Sequence, residues 1–156
     1  ILDEPFSGLD PVNANLIKDE IFRLSREGCT IIFSTHRMEQ VEEICDHIVL
    51  VNKGKKGLDG SVKAIKQEFK EDLFRISFDE KGMPEHTAIH LFQVINKTDH
   101  ELIIKKTEGF SSNDIISYFI HKDLTIHSFN EILPSLNEIF IRQVEGTTLA
   151  RQFEKV

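Results

Sequence analysis

Tryptophan is absent from the 156 residues and tyrosine occurs once, against twelve phenylalanines. The phenylalanines recur at strand and helix spacings that suit core packing. A base-stacking surface would need Lys or Arg interleaved with aromatics on the same strands, and no strand-like segment carries that pattern. Cysteine is almost as scarce: Cys29 and Cys45 both stand in apolar-patterned segments. Two such thiols are expected to be small buried residues in a reducing compartment, with no disulfide framework and no nucleophilic role. No apolar run approaches the roughly 18 residues of a membrane helix, and no secretory leader is visible. Membrane association is therefore expected only through a partner. Excess positive charge is missing too. The net charge is −7, falling as −2 over residues 1–70 and −5 over 71–156, which disfavours binding to nucleic acid or to an acidic membrane surface.

What is present has the balance of a globular chain, 40% hydrophobic and 29% charged, with length for one ordinary domain or two small ones. The sequence begins Ile1-Leu2-Asp3-Glu4-Pro5, without an initiating Met and midway through an apolar strand, as expected of a fragment of a longer gene product. Asp10 followed by Pro11 is a good helix start, because Asp caps free amides and Pro fits the first helical position. Leu16, Ile17, Ile21 and Leu24 recur at helical spacing, and Gly28 is placed to end the helix. Residues 29–34 form a nearly continuous apolar run, which predicts a central strand covered on both faces. Strand, helix and strand with short connections make a crossover unit of a parallel sheet. A second helix follows with Met38, Val41, Ile44 and Cys45 on one face. Strands are expected at 47–52 and 56–58 around Gly54, and a short helix at 62–69.

Near residue 71 the pattern changes. Phe74, Ile76 and Phe78 alternate with Arg75, Ser77 and Asp79, a strand with one buried face. A hairpin is expected over 91–95 and 102–105. Ser111 with Asp114 resembles a capping box and opens a helix bearing Ile115, Ile116, Phe119 and Ile120. Another strand follows at 124–129, and a last helix begins near Pro134 with Leu136, Ile139, Phe140 and Val144. Strands grouped with helices on one side predict a small α+β domain. His86 and His90 are four apart but lie at a loop-to-strand passage with no third ligand, so no zinc site is expected. Lys53, Lys55, Lys56, Lys63, Lys66 and Lys70 are the one basic concentration, read first as a solvated hairpin and helix face, with contact to lipid headgroups as the alternative.

The chemistry lies in the first unit. Asp3 and Glu4 end one apolar strand and His36 ends the next, and the carboxyl edge of an open parallel sheet is where ligands bind. One carboxylate can hold a hydrated Mg²⁺ against phosphate oxygens while the other polarises an attacking water. A nearby histidine can donate a hydrogen bond where charge accumulates on the terminal phosphate.

At these residues the chain resembles the ATP-binding subunits of ABC transporters. Ile1-Leu2-Asp3-Glu4-Pro5 resembles their Walker B strand and catalytic glutamate, Ser7-Gly8-Leu9-Asp10-Pro11 the D-loop, and Phe33-Ser34-Thr35-His36 the strand ending in the switch histidine. Residues 38–48 are similar to the helix and strand that come next. Gly54-Lys55 with Leu58-Asp59-Gly60-Ser61 is similar to the closing hairpin. Residues 71–146 resemble more loosely the C-terminal extension of exporter-type subunits, with 133–140 similar to its closing helix.

The resemblance implies an α/β fold: the C-terminal part of a P-loop NTPase parallel sheet over residues 1–70, then a small α+β, ferredoxin-like accessory domain over 71–156. It also implies ATP and Mg²⁺ as ligands, with Asp3 supporting the metal through water, Glu4 as base or water-positioning group and His36 sensing the γ-phosphate. Ser7 and Asp10 would contact a second ATPase domain, and permease subunits would hold the protein on the cytoplasmic face of the membrane. The phosphate-cradling Gly-rich loop with Lys-Ser/Thr, the Leu-Ser-Gly-Gly-Gln type signature and the permease-contacting loop are absent, all upstream elements in that family, so little turnover is expected of these 156 residues alone. Two other readings remain open: a regulatory or dimerisation module centred on residues 71–146, and a soluble ABC ATPase without a membrane partner, which the lack of a highly basic tail disfavours.

Overall fold

The computed structural model describes residues 1–79 and 90–145. In order these form β1 (Leu2–Asp3), α1 (Pro11–Arg26), β2 (Phe33–Ser34), α2 (Met38–Ile44), β3 (His47–Asn52), β4 (Lys55–Ser61) and α3 (Val62–Glu68). Then come β5 (Leu73–Phe78), β6 (Phe92–Lys97), β7 (Glu101–Lys106), α4 (Ser112–Ile120), β8 (Ile126–Ile132) and α5 (Leu136–Glu145). Two compact units result, one of residues 1–65 together with α5, the other centred on residues 66–134. The sequence pattern had placed a single boundary at 70, with the last helix in the second domain. The structure puts α5 against α2 instead, because Leu136 and Ile139 are buried in the first unit. The apolar spacing of a helix says that it packs, not on what.

In the first unit α1 starts and stops where its residues dictate. The Asp10 carboxylate accepts hydrogen bonds from the amides of Val12 and Asn13, with Pro11 at the first position. At the other end Gly28 takes φ of 90°. Its N–H donates to the Ser25 carbonyl and that of Cys29 to Leu24, the paired bonds of a Schellman stop. Ile21 is buried as expected, but Leu16 is 61% exposed. The strand expected at 29–34 shortens to Phe33–Ser34, with Ile32 60% exposed, because β2 has β1 as its one strand neighbour among the described residues. Cys29 is exposed rather than buried, and Cys45 is half-buried. Burial pushes the Cys45 thiol upward, with the Asp46 charge adding to it, in keeping with an unreactive group. Strands β3 and β4 pair antiparallel as a hairpin with a bulge at Leu50–Val51.

The second unit is a four-stranded antiparallel sheet in the order β6-β7-β5-β8. Because β7 and β8 both run antiparallel to β5, β7–α4–β8 joins two parallel strands across a third, a split βαβ arrangement. Alternation in β5 sends Phe74, Ile76 and Phe78 into a core with Phe92, Leu102, Ile104, Ile115 and Phe119. Helix α4 is set by the expected capping box. The Ser111 hydroxyl accepts from the Asp114 amide, and Asp114 accepts from the Ser111 amide. Phe119 is fully buried, 5.0 Å between ring centroids from Phe78 and 5.4 Å from Phe92.

Phe119→Ala is expected to cost about 3–5 kcal/mol through the cavity it leaves. Ile120→Ala, one residue on and 59% exposed, should stay within about 0.5 kcal/mol of the parent. Urea denaturation of the two variants checks both.

Candidate functional site

Strand β1 runs parallel to β2 in a register that sets Leu2 beside Phe33 and Asp3 beside Ser34. The Leu2 N–H donates to the Ile32 carbonyl at 2.8 Å and the Glu4 N–H to Ser34 at 3.0 Å. Parallel neighbours finish on the same edge, so the residues that close each strand must meet. They do so in pairs. The Ser34 hydroxyl donates to Asp3 Oδ1, and the Thr35 hydroxyl donates to Glu4 Oε2 at 3.0 Å.

Glu4 turns the chain out of the strand with φ of 44°, a left-handed conformation that a non-glycine residue keeps only when its surroundings fix it. Both of its peptide groups are fixed: its N–H by Ser34, and its carbonyl by the Ser7 N–H at 3.0 Å. Below this turn Phe6 is buried, edge-on to Phe33 at 6.0 Å between centroids.

The Glu4 carboxylate is the centre of the cluster. Its Oε1 accepts from the His36 N–H at 3.1 Å and lies 2.7 Å from His36 Nδ1. The ring hydrogen bond, helped by the Thr35 hydroxyl and the His36 amide, outweighs desolvation and holds the carboxyl below its ordinary range. An ionised carboxylate only accepts, so Nδ1 carries the proton in this contact. The other ring nitrogen, Nε2, then accepts in the neutral imidazole and donates only in the imidazolium. The His36 side chain is 82% exposed, which leaves that nitrogen open to an incoming group.

Asp3, Glu4 and His36 are therefore brought together. Ser7 lies on the exposed turn after Glu4, joined to the cluster through its amide. Asp10 stands at the head of α1, where its carboxylate holds the Val12 and Asn13 amides and the Asn13 side chain. The Asn13 amide and side chain foremost hold its carboxyl below the ordinary range. Sequence reasoning gave no role to Ser34 and Thr35. Their signal was the parallel register itself, which sets each hydroxyl against the acid one strand away.

Asp3 and Ser34 offer hard oxygen donors of the kind Mg²⁺ takes. Among the described residues no group of three or more His, Cys, Asp and Glu could hold a metal, so a cation at Asp3 would complete its shell with waters and phosphate oxygens. His86 lies outside the described residues; His90 stands edge-on to Phe110. In the basic segment, Lys56 pairs with Asp59 at 2.9 Å, and Asp59 also meets His47 at 2.8 Å. Lys70 pairs with Glu131 at 3.2 Å. These pairs fit a solvated charged surface. Among the described residues no helix is long and apolar enough to cross a membrane.

Similarity to known proteins gives the family. Residues 60–144 match the family described as ATP-binding protein DrrA1-3-like, C-terminal domain. The chain is 36% identical over 146 residues to the ABC transporter ATP-binding protein YhaQ of Bacillus subtilis, covering 92% of this chain and 48% of that protein. It is 36% identical over 160 residues to an ABC transporter ATP-binding protein of Alkalihalophilus pseudofirmus, covering 96% and 55%. It is 38% identical over 101 residues to a fluoroquinolones export ATP-binding protein of Mycobacterium tuberculosis, covering 57% and 34%. The chain thus spans about half the length of the first two relatives. It belongs to the DrrA1-3-like family of ABC transporter ATP-binding proteins and contains that family's C-terminal domain.

Proposed function

We propose that, in a protein of the relatives' length, this chain supplies the hydrolysis side of an ATP site that drives transport through separate membrane subunits. The observation that carries the reading is the convergence of Asp3, Glu4 and His36 on the shared edge of β1 and β2. Phosphoryl transfer asks a protein for positioning and charge stabilisation more than for covalent chemistry, and this edge offers both. Asp3, steadied by Ser34, would support Mg²⁺ through water; the ion supplies neutralisation of phosphate charge. Glu4, kept ionised by His36 and Thr35, would orient the attacking water. His36, as the imidazolium, would donate Nε2–H to the terminal phosphate. Ser7 and Asp10 would face a second ATPase domain, with Asp10 capping α1 in either case.

On this reading residues 1–70 are the C-terminal part of an ABC ATPase domain, with β1 and β2 belonging to a larger P-loop parallel sheet. The exposed Leu16 and Ile32 are apolar surface that such a sheet and its helices would cover. Residues 71–134 would form an accessory domain of ferredoxin-like design, which the strand order β6-β7-β5-β8 supports. Closure of two ATPase domains around ATP would be passed to permease subunits, holding the protein at the cytoplasmic face of the membrane. The export named for the mycobacterial relative supports a lean to outward transport.

In the protein of full relative length, Glu4→Gln is expected to lower ATP turnover at least about a hundredfold, with nucleotide binding kept. Unchanged turnover would sink the role of Glu4. The 156-residue chain by itself should show no robust magnesium-dependent ATPase activity in a phosphate-release assay. An NMR titration should put the Glu4 carboxyl midpoint below the ordinary glutamate range, and His36→Ala should raise it. By the same linkage, the pair stabilises the fold above the unfolded carboxyl's range and ceases to as pH falls through the folded value.

A further inference from the structure

The helix that follows His36 is short and poorly fixed by its own residues. Helix α2 has seven residues, and its N-cap, Arg37, makes no side-chain capping bond. Helices of that length do not hold themselves in water, so their position is set by what they pack on. Side chains of α2 reach both neighbouring helices. Lys18 of α1 pairs with Glu43 at 2.7 Å, a solvent-facing ion pair of the kind that contributes little. Glu42 instead reaches across to α5, where its Oε2 accepts a hydrogen bond from the Leu136 N–H at 2.9 Å.

That second contact is built into the start of α5. Ser135 and Glu138 satisfy each other: the Ser135 amide and hydroxyl donate to Glu138 Oε2 at 2.7 and 2.9 Å, and the Glu138 N–H donates to the Ser135 hydroxyl. The first helical amide, that of Leu136, is left for a partner from outside the helix, and the Glu42 carboxylate also suits the positive end of the α5 dipole. Below it, Leu136 and Ile139 are buried. The interaction joins residues 94 apart in sequence, and one end of it lies on the helix that begins two residues after His36.

We infer that Glu42 is a positioning residue for the His36–Glu4 pair: by capping α5 it fixes the seat of α2 and so the angle at which His36 is presented. The inference rests on the proposed hydrolytic role of that pair. It also gives α5 a task in the first unit. The chain leaves this unit after residue 65 and returns at Ser135, so residues 66–134 are tied at both ends to the unit that holds Glu4 and His36.

Two substitutions separate reach from charge. Glu42→Gln keeps an oxygen acceptor at the same reach but removes the charge. Glu42→Asp keeps the charge but is one methylene too short for the Leu136 amide. In the nucleotide-free protein of full relative length, the His36 ring resonances of E42Q should overlay the parent and those of E42D should move. With magnesium and ATP, E42D should lower kcat by between about tenfold and a hundredfold, the scale of a small misplacement of reacting groups, while KM stays near the parent value. E42Q should retain most of the rate. The double variant His36→Ala with E42D should be no slower than His36→Ala alone, since the two changes act through one group. Parent-like His36 resonances in E42D, an active E42D beside an inactive E42Q, or multiplying effects in the double variant would each overturn the inference. Glu4→Gln assayed alongside separates the two readings. Full turnover in E4Q fails the hydrolytic role and the Glu42 inference with it, whereas an inactive E4Q beside an unimpaired E42D fails the Glu42 inference alone.

Discussion

Everything chemical in this chain depends on the register between two strands of two residues each. Asp3 lies beside Ser34, and Glu4 beyond it hydrogen-bonds the backbone and side chain of residues 34–36. Side chains alternate along a strand, so a slip of one residue would send Asp3 and its hydroxyl partner to opposite faces. It would also break the triple hold on the Glu4 carboxylate. Few ladder bonds protect so short a pairing. Its stability comes from beneath, where Phe6 packs edge-on against Phe33, and from the following turn, where the Ser7 amide closes on the Glu4 carbonyl.

The same cluster shows a division of labour between hydroxyls and charges. Ser34 and Thr35 donate into the two acids and leave no charge of their own. His36 adds its amide and its Nδ1–H to the Glu4 carboxylate, which ties the ring proton to the charge on that acid. The hydroxyls fix where the acids stand, and the ring fixes the charge between them.

Much of this was legible in the residues. Asp10–Pro11, Gly28 and the Ser111–Asp114 box carry their own local chemistry, and each stands at the helix end it predicted. The alternation of Phe74, Ile76 and Phe78 likewise marked the buried face of β5. Motif order led to Asp3, Glu4 and His36 because strand ends in a parallel unit must share an edge. The misses have a common cause. Leu16, Ile32 and Cys29 follow apolar patterns yet stand open to solvent, because a pattern reports that a residue suits burial, not which neighbour buries it. For α5 the spacing was right and the partner was wrong, since a helix at the end of a strand-rich segment gives no local sign that it belongs with residues a hundred positions earlier. Ser34 and Thr35 were overlooked because their role exists only across the strand pair.

The late return of the chain also bears on how the molecule comes together. Contacts that close long loops carry an entropic cost that must be met before they stabilise anything, and they slow folding accordingly. On a ribosome, Glu42 emerges long before Leu136, and α2 waits through the synthesis of roughly ninety residues for the helix that seats it. The second unit, with its β6–β7 hairpin and its capped helix, has those local contacts available in the meantime. The edge that carries Asp3, Glu4 and His36 thus leaves the ribosome well before the helix on which α2 packs.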